Sequence, residues 1–271
     1  MNELDGKTWT RYSISVWSIS KTSGERKLKH PAMFPLELCR RLIRIYTKPG
    51  GLVLDPFAGS GSTIVAATEL QRDGIGVEYL DKFVSLSRSR LSQTGLESRG
   101  KGIVHQGDSR ELDKFIGPNT VDFVLTSPPY WAILQRKRTA DYKEKRPYSE
   151  LAGDLGNIES YDEFMGQLEI IFGKVKVAMK PGAYCAIVVM DLRQGSKFIP
   201  FHISIVDMMT RLGFVLEDII IWNRQGEYNN LRPLGYPYKF IVNKVHEYIL
   251  IFRKNHTIEE NNAVGEIESI A

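Results

Sequence analysis

The residue types best suited to chemistry stand in two loops, each directly after a short apolar run. Asp55 to Ser62 reads DPFAGSGS after GLVL, and Thr126 to Trp131 reads TSPPYW after VDFVL. Glycines let a backbone come close to a ligand, and a helix that begins there points its N–H groups at the same place. Consecutive prolines stiffen a loop and hold its hydroxyl and carbonyl acceptors in fixed directions. We expect the first loop to hold a nucleoside-type cofactor and the second to hold a planar amino group beside it.

The glycine-rich loop by itself also fits a dinucleotide site, a phosphate site or a turn that only packs. It contains neither the Gly-Lys-Ser/Thr of a P-loop nor GxGxxG. Asp55 stands directly before the turn, and a carboxylate suits a cationic amino-acid group better than a phosphate. The candidate cofactor contacts in this loop are Asp55, Pro56, Phe57, Gly59, Ser60, Gly61 and Ser62.

Acidic residues also end the next two predicted strands. Glu78 lies near the end of GIGVEY, and Asp108 ends HQGD. In doubly wound folds, an acid at the end of the second strand binds ribose hydroxyls. The other interpretations are a surface acid for Glu78 and a helix N-cap for Asp108. Together with Asp55, acids at three consecutive strand ends favour one shared cofactor site.

These motifs, in this order, resemble the DNA amino-methyltransferases, which use S-adenosylmethionine to methylate an exocyclic nitrogen of cytosine or adenine. The resemblance covers residues 15 to about 254 and extends to MKPGAYCAIVVMD, IIIWNRQ and HEYILIFRK. Many relatives place the PPY loop first, so this chain looks permuted relative to them, and it lacks a large separate target-recognition domain. The resemblance implies S-adenosylmethionine as cofactor, double-stranded DNA as partner and no metal.

The resemblance also implies roles for single residues. Asp108 would meet the adenine amino group of the cofactor. HPAMFP, before the first helix of the alternating region, matches a family segment that covers the methionine end of the cofactor. The cofactor contacts that it adds are His30, Pro31, Ala32 and Phe34. His30 also fits a plain loop position, and we assign it no chemistry.

The candidate catalytic group is Ser127, Pro128, Pro129 and Tyr130. The amino nitrogen of a base is a poor nucleophile because its lone pair is conjugated with the ring, so it must lose planarity to attack a sulfonium methyl. The Ser127 hydroxyl and the Pro128 carbonyl would accept its two hydrogens out of the ring plane, and Tyr130 would stack on a flipped base. In the family, the serine form is associated with N4 of cytosine and the aspartate form with N6 of adenine, so TSPPY favours cytosine. In the alternative interpretation the loop has no catalytic role and is a Pro-Pro turn against which an aromatic side chain packs.

Strands and helices alternate from Leu52 onward, which indicates a mostly parallel sheet covered on both faces. The predicted fold is α/β, a Rossmann-like seven-stranded class I methyltransferase sheet with an antiparallel C-terminal hairpin. Strands are predicted at Tyr12–Ser20, Leu52–Pro56, Gly74–Tyr79, Ile103–Gln106, Val121–Thr126, Ala183–Met190, Val215–Trp222 and Glu247–Phe252. Helices are predicted for PLELCRRLIRIYTKPGG up to its Pro-Gly-Gly stop, and for Ser62–Gln71, Asp81–Gln93, Tyr161–Met179 and Ile203–Leu212.

Two polar segments, residues 132–160 and 225–244, interrupt this alternation and are candidate DNA-contacting insertions. The first follows the TSPPYW loop and holds basic residues that would neutralise phosphates: Arg136, Lys137, Arg138, Lys143, Lys145 and Arg146. The second mixes Arg232 with asparagines and tyrosines, residue types that can read base edges. A solvated loop is the alternative for each segment.

The composition is that of a globular protein. The 271 residues include 42% hydrophobic and 25% charged residues, enough for one well-buried core, so we predict a single catalytic domain over residues 1–271. A formal charge of +4 permits a polyanionic partner without demanding one. Cys39 and Cys185 make no metal or disulfide pattern and are predicted to be buried free thiols. Neither a signal peptide nor a membrane span is predicted.

The leading hypothesis is a site-specific enzyme that forms N4-methylcytosine in duplex DNA, in a prokaryotic cytoplasm beside the nucleoid. A companion restriction endonuclease would then be a second partner, within a restriction-modification system. The alternatives are methylation of N6 of adenine in DNA, methylation of a base in RNA, and a silent nucleic-acid-binding module. The intact SPPY argues against the silent module.

Overall fold

The structure is a computed structural model, and it describes residues 4–28, 33–93, 100–131, 151, 153–195, 197–228, 231 and 233–255. Within these ranges the helices are α1 Gly6–Tyr12, α2 Ser23–Lys27, α3 Leu36–Tyr46, α4 Ser62–Glu69, α5 Asp81–Gln93, α6 Tyr161–Ala178 and α7 Phe201–Arg211. The strands are β1 Val16–Ser18, β2 Leu52–Asp55, β3 Asp73–Glu78, β4 Gly102–Gln106, β5 Val121–Thr126, β6 Met179–Val189, β7 Leu192–Gln194, β8 Lys197–Ile199, β9 Phe214–Asn223 and β10 His246–Lys254.

The main sheet has the order β1-β9-β10-β6-β5-β2-β3-β4. β10 runs antiparallel to β6 and β9, and the other neighbouring strands are parallel. The predicted α/β methyltransferase fold and the antiparallel pairing of its last two strands are confirmed. The chain continues from β2 to one side and from β5 to the other, so the strand order reverses between them. In open α/β sheets this switch point, at the carboxyl ends of the strands, is where ligands bind.

The central strands are apolar on both faces because helices cover both faces. Val53 of β2 and Phe123 of β5 pack in one buried cluster with α3 and α4. Their neighbours Leu54 and Val124 pack in a second, larger cluster, with α6 and α7. Successive strand residues therefore supply opposite layers of the core, as the period of two requires. This packing holds β2 and β5, and with them the loops that follow, in a fixed relative position.

The predicted strand Tyr12–Ser20 is wrong in its extent. Its first residue, Tyr12, is the last residue of α1. Asp5 caps the N-terminus of α1, because its side chain accepts a hydrogen bond from the Thr8 amide at 2.8 Å. Only Val16–Ser18 forms a strand, which pairs parallel to β9 at one edge of the eight-stranded sheet. Trp17 is buried and donates its indole N–H to the Tyr12 carbonyl, which holds the short strand against the helix end.

Two further predictions concern the two cysteines and membrane-spanning helices. Cys39 and Cys185 are buried free thiols, as predicted, and burial raises the pKa of both. Among the described helices, none combines the length and the apolar character needed to cross a membrane.

Candidate active site

A single cleft at the carboxyl ends of β2, β3 and β5 brings the two loops together. It encloses about 1120 Å³ including its open mouth, and residues of the glycine loop and Ser127 to Tyr130 both line it. Two segments that are more than 60 residues apart in sequence (Asp55 and Ser127, for example) thus form one site.

The backbone of the glycine loop adopts a conformation that residues with a side chain rarely adopt. Gly59 and Gly61 have φ angles of 51° and 76°, in the left-handed region. Gly61 precedes the first residue of α4, and a Cβ atom there would come within 2.9 Å of the Ser87 Cβ. The loop therefore turns tightly and presents the first turn of α4 to the cleft.

Two residues of α5 support this loop from behind, and the sequence analysis missed both. The Ser87 hydroxyl donates to the Gly59 carbonyl at 2.7 Å. Arg90 donates to the Ser60 carbonyl at 2.5 Å and to the Ser62 hydroxyl at 3.1 Å. Arg90 is buried, and its desolvation lowers the pKa of the guanidinium. No local pattern in the sequence distinguishes these residues from other polar positions of an amphipathic helix.

Asp55 is almost fully buried at the end of β2, where hydroxyl groups of other segments hold its carboxylate. Thr63 and Thr126 each donate to it at 2.7 Å, and the Phe57 amide donates at 3.1 Å. Burial raises the pKa of Asp55 to about 6, against the effect of these hydrogen bonds. Asp55 thus holds β2, β5 and α4 together and adds negative potential at the base of the cleft.

The raised pKa of Asp55 predicts a pH-dependent stability. The folded protein binds this proton more tightly than the unfolded chain, whose pKa is near 3.8, so the stability present below pH 4 falls as pH rises through about 6. Asp55→Asn removes this dependence, which amounts to at most about 3 kcal/mol. Urea unfolding of both proteins at pH 4 to 8, without cofactor, measures it. Parallel stability curves for the two proteins would contradict the assignment.

Glu78, at the end of β3, uses both carboxylate oxygens on the backbone. One accepts from the Gly59 amide at 2.9 Å, and the other accepts from the Leu80 amide at 2.8 Å. Burial raises the pKa of this carboxyl. Glu78 lines the cleft, and it ties the glycine loop to β3. It is therefore not the plain surface acid that its strand-end position also permitted.

Asp108 lines the same cleft and also serves as an N-cap. Its carboxylate accepts from the Arg110 amide at 2.9 Å, at the start of the 3-10 helix Ser109–Lys114, and forms an ion pair with the Arg110 side chain at 2.5 Å. Burial acts to raise the pKa of Asp108, but the hydrogen bonds from Arg110 hold it below its ordinary value. The N-cap interpretation and the position on the cleft are therefore compatible.

The rest of the lining includes residues that the sequence analysis did not select. Phe34 is on the lining as expected, and the additional apolar residues include Met33, Ala58, Val77, Leu80 and Phe83. Gly153, Asp154 and Leu155 also line the cleft, although the segment 132–160 was expected to contact DNA. At least this end of the segment belongs to the wall of the cleft.

In the second loop, Ser127, Pro128, Pro129 and Tyr130 all line the cleft. The Tyr130 hydroxyl lies 3.1 Å from the Ser127 hydroxyl and 2.8 Å from a carboxylate oxygen of Glu247 in β10. The Tyr130 ring meets Phe201 edge to face, with 6.2 Å between the ring centres. Burial, and secondly the charge of Glu247, raise the pKa of Tyr130 well above its ordinary value. These contacts hold the Tyr130 ring in one orientation, just after the carboxyl end of β5.

Several predicted site residues lie outside the described residues. These are His30, Pro31 and Ala32 of the expected cofactor cover, and the candidate DNA contacts Arg136, Lys137, Arg138, Lys143, Lys145, Arg146 and Arg232. Their assignments stay predictions. Across the described part of the chain, no group of three or more His, Cys, Asp or Glu side chains is arranged to hold a metal ion.

Comparison with known families decides among the chemistries that this cleft permits. A family model for N6/N4 enzymes, described as DNA methylase, matches residues 3–89 and 121–265. The chain belongs to the DNA methylase family. Its cofactor is accordingly S-adenosylmethionine. The predicted resemblance is thereby confirmed for the family as a whole, which includes both kinds of target nitrogen.

Curated relatives match this chain over limited stretches. The Type II methyltransferase M.BglI of Bacillus subtilis is 40% identical over 101 residues, which are 37% of this chain and 28% of that protein. The chain spans about a third or less of the length of such relatives.

Two solved structures show the same fold. TrmN from Thermus thermophilus is 17% identical with a TM-score of 0.51, over 83% of this chain and 50% of that one. An S-adenosylmethionine-dependent methyltransferase from Methanosarcina mazei is 13% identical with a TM-score of 0.50, over 80% of this chain and 98% of that one. At these identities the likeness concerns the fold alone.

The charge of the cleft fits S-adenosylmethionine better than a nucleotide. The described lining includes no lysine or arginine, and its carboxylates are Asp55, Glu78, Asp108 and Asp154. An acidic lining attracts the sulfonium and ammonium groups of this cofactor, whereas it would repel phosphates. The apolar side chains on the lining, Phe83 among them, are compatible with an uncharged ring system. The dinucleotide and phosphate interpretations of the glycine loop are therefore disfavoured.

Proposed function

We propose that this protein transfers the methyl group of S-adenosylmethionine to the exocyclic N4 of cytosine in double-stranded DNA, with the target base flipped out of the helix. The observation that carries the proposal is the shared cleft, in which the glycine loop and Ser127 to Tyr130 form adjoining walls. Methyl transfer needs the donor and the amino group side by side, because held reactants react far faster than free ones.

The protein's own contribution to the reaction is to orient the amino group. The cofactor supplies an activated methyl group on sulfur. The Ser127 hydroxyl and the Pro128 carbonyl accept the two amino hydrogens and favour a nitrogen that leaves the ring plane. Tyr130, held by Phe201 and Glu247, stacks on the flipped base. The cofactor contacts in this proposal are Phe34, the residues of the glycine loop, Glu78 and Asp108, with His30 to Ala32 as predicted cover.

DNA would approach at the edge of the sheet where the cleft opens. β9 is parallel to the central strands, so it ends at this edge of the sheet. Glu247, near the start of β10, contacts Tyr130 at the same edge. The connection between the two strands, residues 224–245, therefore starts and ends at this edge. Three aromatic side chains of this connection are largely exposed: Tyr236 at 78%, Tyr238 at 96% and Phe240 at 92%. Exposed aromatics beside a base-binding cleft suit stacking on bases. They support the predicted DNA-contacting segment 225–244, to which Arg232 belongs.

Replacing Tyr238 and Phe240 with alanine should weaken DNA binding by about 1–3 kcal/mol for each base that they stack on. Cofactor affinity should stay unchanged. Trp9→Ala is a matched control, since Trp9 is 49% exposed and lines a different pocket, together with Gly51 and Asp122 at the opposite edge of the sheet. Fluorescence anisotropy with labelled duplexes measures the effect. Equal affinities for the double variant and the wild type would place the DNA elsewhere.

The proposal extends the DNA methylase family assignment to one base and one nucleic acid. Serine at position 127, rather than the aspartate associated with adenine, supports cytosine. A companion restriction endonuclease, a role in restriction-modification and a place beside the nucleoid are parts of the same proposal, motivated by the Type II names of the relatives.

The deciding experiment incubates the full chain with plasmid DNA and methyl-labelled S-adenosylmethionine, digests the DNA and identifies the labelled nucleoside by mass spectrometry. We expect N4-methylcytosine, and on the order of 100-fold less label with Ser127→Ala at matched early times. N6-methyladenine would keep the site and overturn the base. Label in RNA and not in DNA would overturn the nucleic acid, and cofactor binding without transfer to either would identify a silent binding module.

A further inference from the structure

A chain of polar contacts leads from the target loop into the interior, and it joins side chains from three segments that are distant in sequence. The Ser127 and Tyr130 hydroxyls are 3.1 Å apart, and the Tyr130 hydroxyl is 2.8 Å from Glu247. Arg224 donates to the other carboxylate oxygen of Glu247, and it donates to Glu227 at 2.6 Å. Glu247 is 4% exposed, so this carboxylate is paired within the protein and not with bulk water.

The chemistry of these groups sets the direction of each hydrogen bond. A carboxylate only accepts, so the single proton of the Tyr130 hydroxyl points at Glu247. The carbonyl of Val188 is a competing acceptor, but it lies 3.4 Å away and is neutral. The shorter bond to a charged acceptor is the stronger one. The Tyr130 oxygen therefore faces Ser127 as an acceptor.

The same reasoning then applies to Ser127. Its hydroxyl has one proton, and the Tyr130 oxygen accepts it. The lone pairs of the Ser127 oxygen remain for a donor in the cleft. An aspartate at this position would accept hydrogen bonds without help, whereas a serine does so only when its proton is held elsewhere.

We propose that Glu247, acting through the Tyr130 hydroxyl and fixed by Arg224, is a positioning residue that keeps the Ser127 hydroxyl as an acceptor for the target amino group. This inference rests on the proposed function, in which the Ser127 oxygen receives an amino hydrogen. It assigns two roles to Tyr130: the ring stacks on the base, and the hydroxyl orients Ser127. It also explains how a serine replaces a carboxylate in the target loop.

The test is a double-mutant cycle on the single-turnover rate of methyl transfer. Tyr130→Phe removes the hydroxyl and keeps the ring, and it should lower the rate roughly tenfold, the value of one lost hydrogen bond. In a Ser127→Ala background the same change should have less than about a twofold effect, because the orientation of Ser127 no longer matters. Glu247→Gln should behave in the same way, with unchanged cofactor affinity in each variant.

Tyr161→Phe is the matched control. The Tyr161 hydroxyl also pairs with a serine, Ser204, at 2.9 Å, but neither residue lines the cleft. Its rate should equal that of the wild type. Equal losses from Tyr130→Phe with and without Ser127, or no loss in either background, would overturn the proposal. Losses from Glu247→Gln that persist without Ser127 would show that Glu247 is merely structural.

A second measurement separates this inference from the proposed function. In protein with labelled tyrosine, the Tyr130 hydroxyl proton should exchange slowly with water by NMR, and at least about tenfold faster in Glu247→Gln. If the wild type methylates no nucleic acid, the proposed function fails while the hydroxyl exchange still reports the orientation. Fast exchange in the wild type would overturn the orientation even in an active enzyme.

Discussion

Ser127→Ala is expected to lower the single-turnover rate of methyl transfer by on the order of 100-fold or more, the loss typical of a mispositioned reacting group. The contact matters most as the amino nitrogen leaves the ring plane, so its removal affects the transition state more than the bound complex. The affinities for cofactor and for DNA should therefore stay near those of the wild type. Rapid-quench kinetics on the preformed complex measures the rate, and anisotropy and calorimetry measure the affinities.

Ser204→Ala controls for the loss of a serine hydroxyl elsewhere in the protein. Ser204 accepts from Tyr161 and is absent from the lining of the cleft, so its loss should leave the rate unchanged. A Ser127→Ala protein that reacts at the wild-type rate would remove Ser127 from the mechanism. A variant that no longer binds DNA would instead make Ser127 a binding residue.

Glu78→Gln should weaken S-adenosylmethionine binding by about 10- to 100-fold. Both oxygens of Glu78 accept backbone N–H groups, from Gly59 and Leu80. The carboxamide of glutamine has one oxygen acceptor and one NH2 donor, so one of these backbone N–H groups would face another donor. The proposed contact of the carboxylate with the ribose is a hydrogen bond to a charged acceptor, which contributes about 1.5–3 kcal/mol and corresponds to this range of affinity. The glycine loop would also lose its tie to β3, which holds it in place for the cofactor.

Isothermal titration calorimetry measures this affinity, with Asp73→Asn as the control. Asp73 begins the same strand and accepts a backbone N–H from Lys101 at 2.7 Å, but it lies at the opposite end, away from the cleft. Its replacement should leave the cofactor affinity unchanged. Wild-type affinity in Glu78→Gln would mean that neither the carboxylate nor the loop geometry that it holds contributes to binding.

The sequence by itself determined the parts of this protein that depend on neighbouring residues. The run GLVL followed by DPFAGSGS predicts a buried strand, a tight turn and a helix start, and β2, Gly61 and α4 follow in that order. Strand and helix periods predicted the alternating elements and hence a parallel sheet. Since parallel strands end at one edge, Asp55, Glu78, Asp108 and Ser127 could be expected on one cleft, and all four line it.

The N-terminal strand shows where local patterns are insufficient. YSISVWSIS is rich in residues that favour strands, yet its first residue belongs to a helix that the cap Asp5 begins seven residues earlier. β-Propensity reflects the fit to a half-buried pleated surface, and only Val16 to Ser18 lie along β9.

Only the tertiary structure revealed which distant side chains support the site. Glu247 meets Tyr130 across 117 positions of sequence because the register of β10 with β6 places Tyr248 opposite Val189, close to the end of β5. Arg90 and Ser87 reach the glycine loop from the next helix, and Asp154 reaches the cleft from a segment expected to contact DNA. Strand order, register and helix packing decide such contacts. These are long-range properties of the whole core, and no local spacing of residue types encodes them.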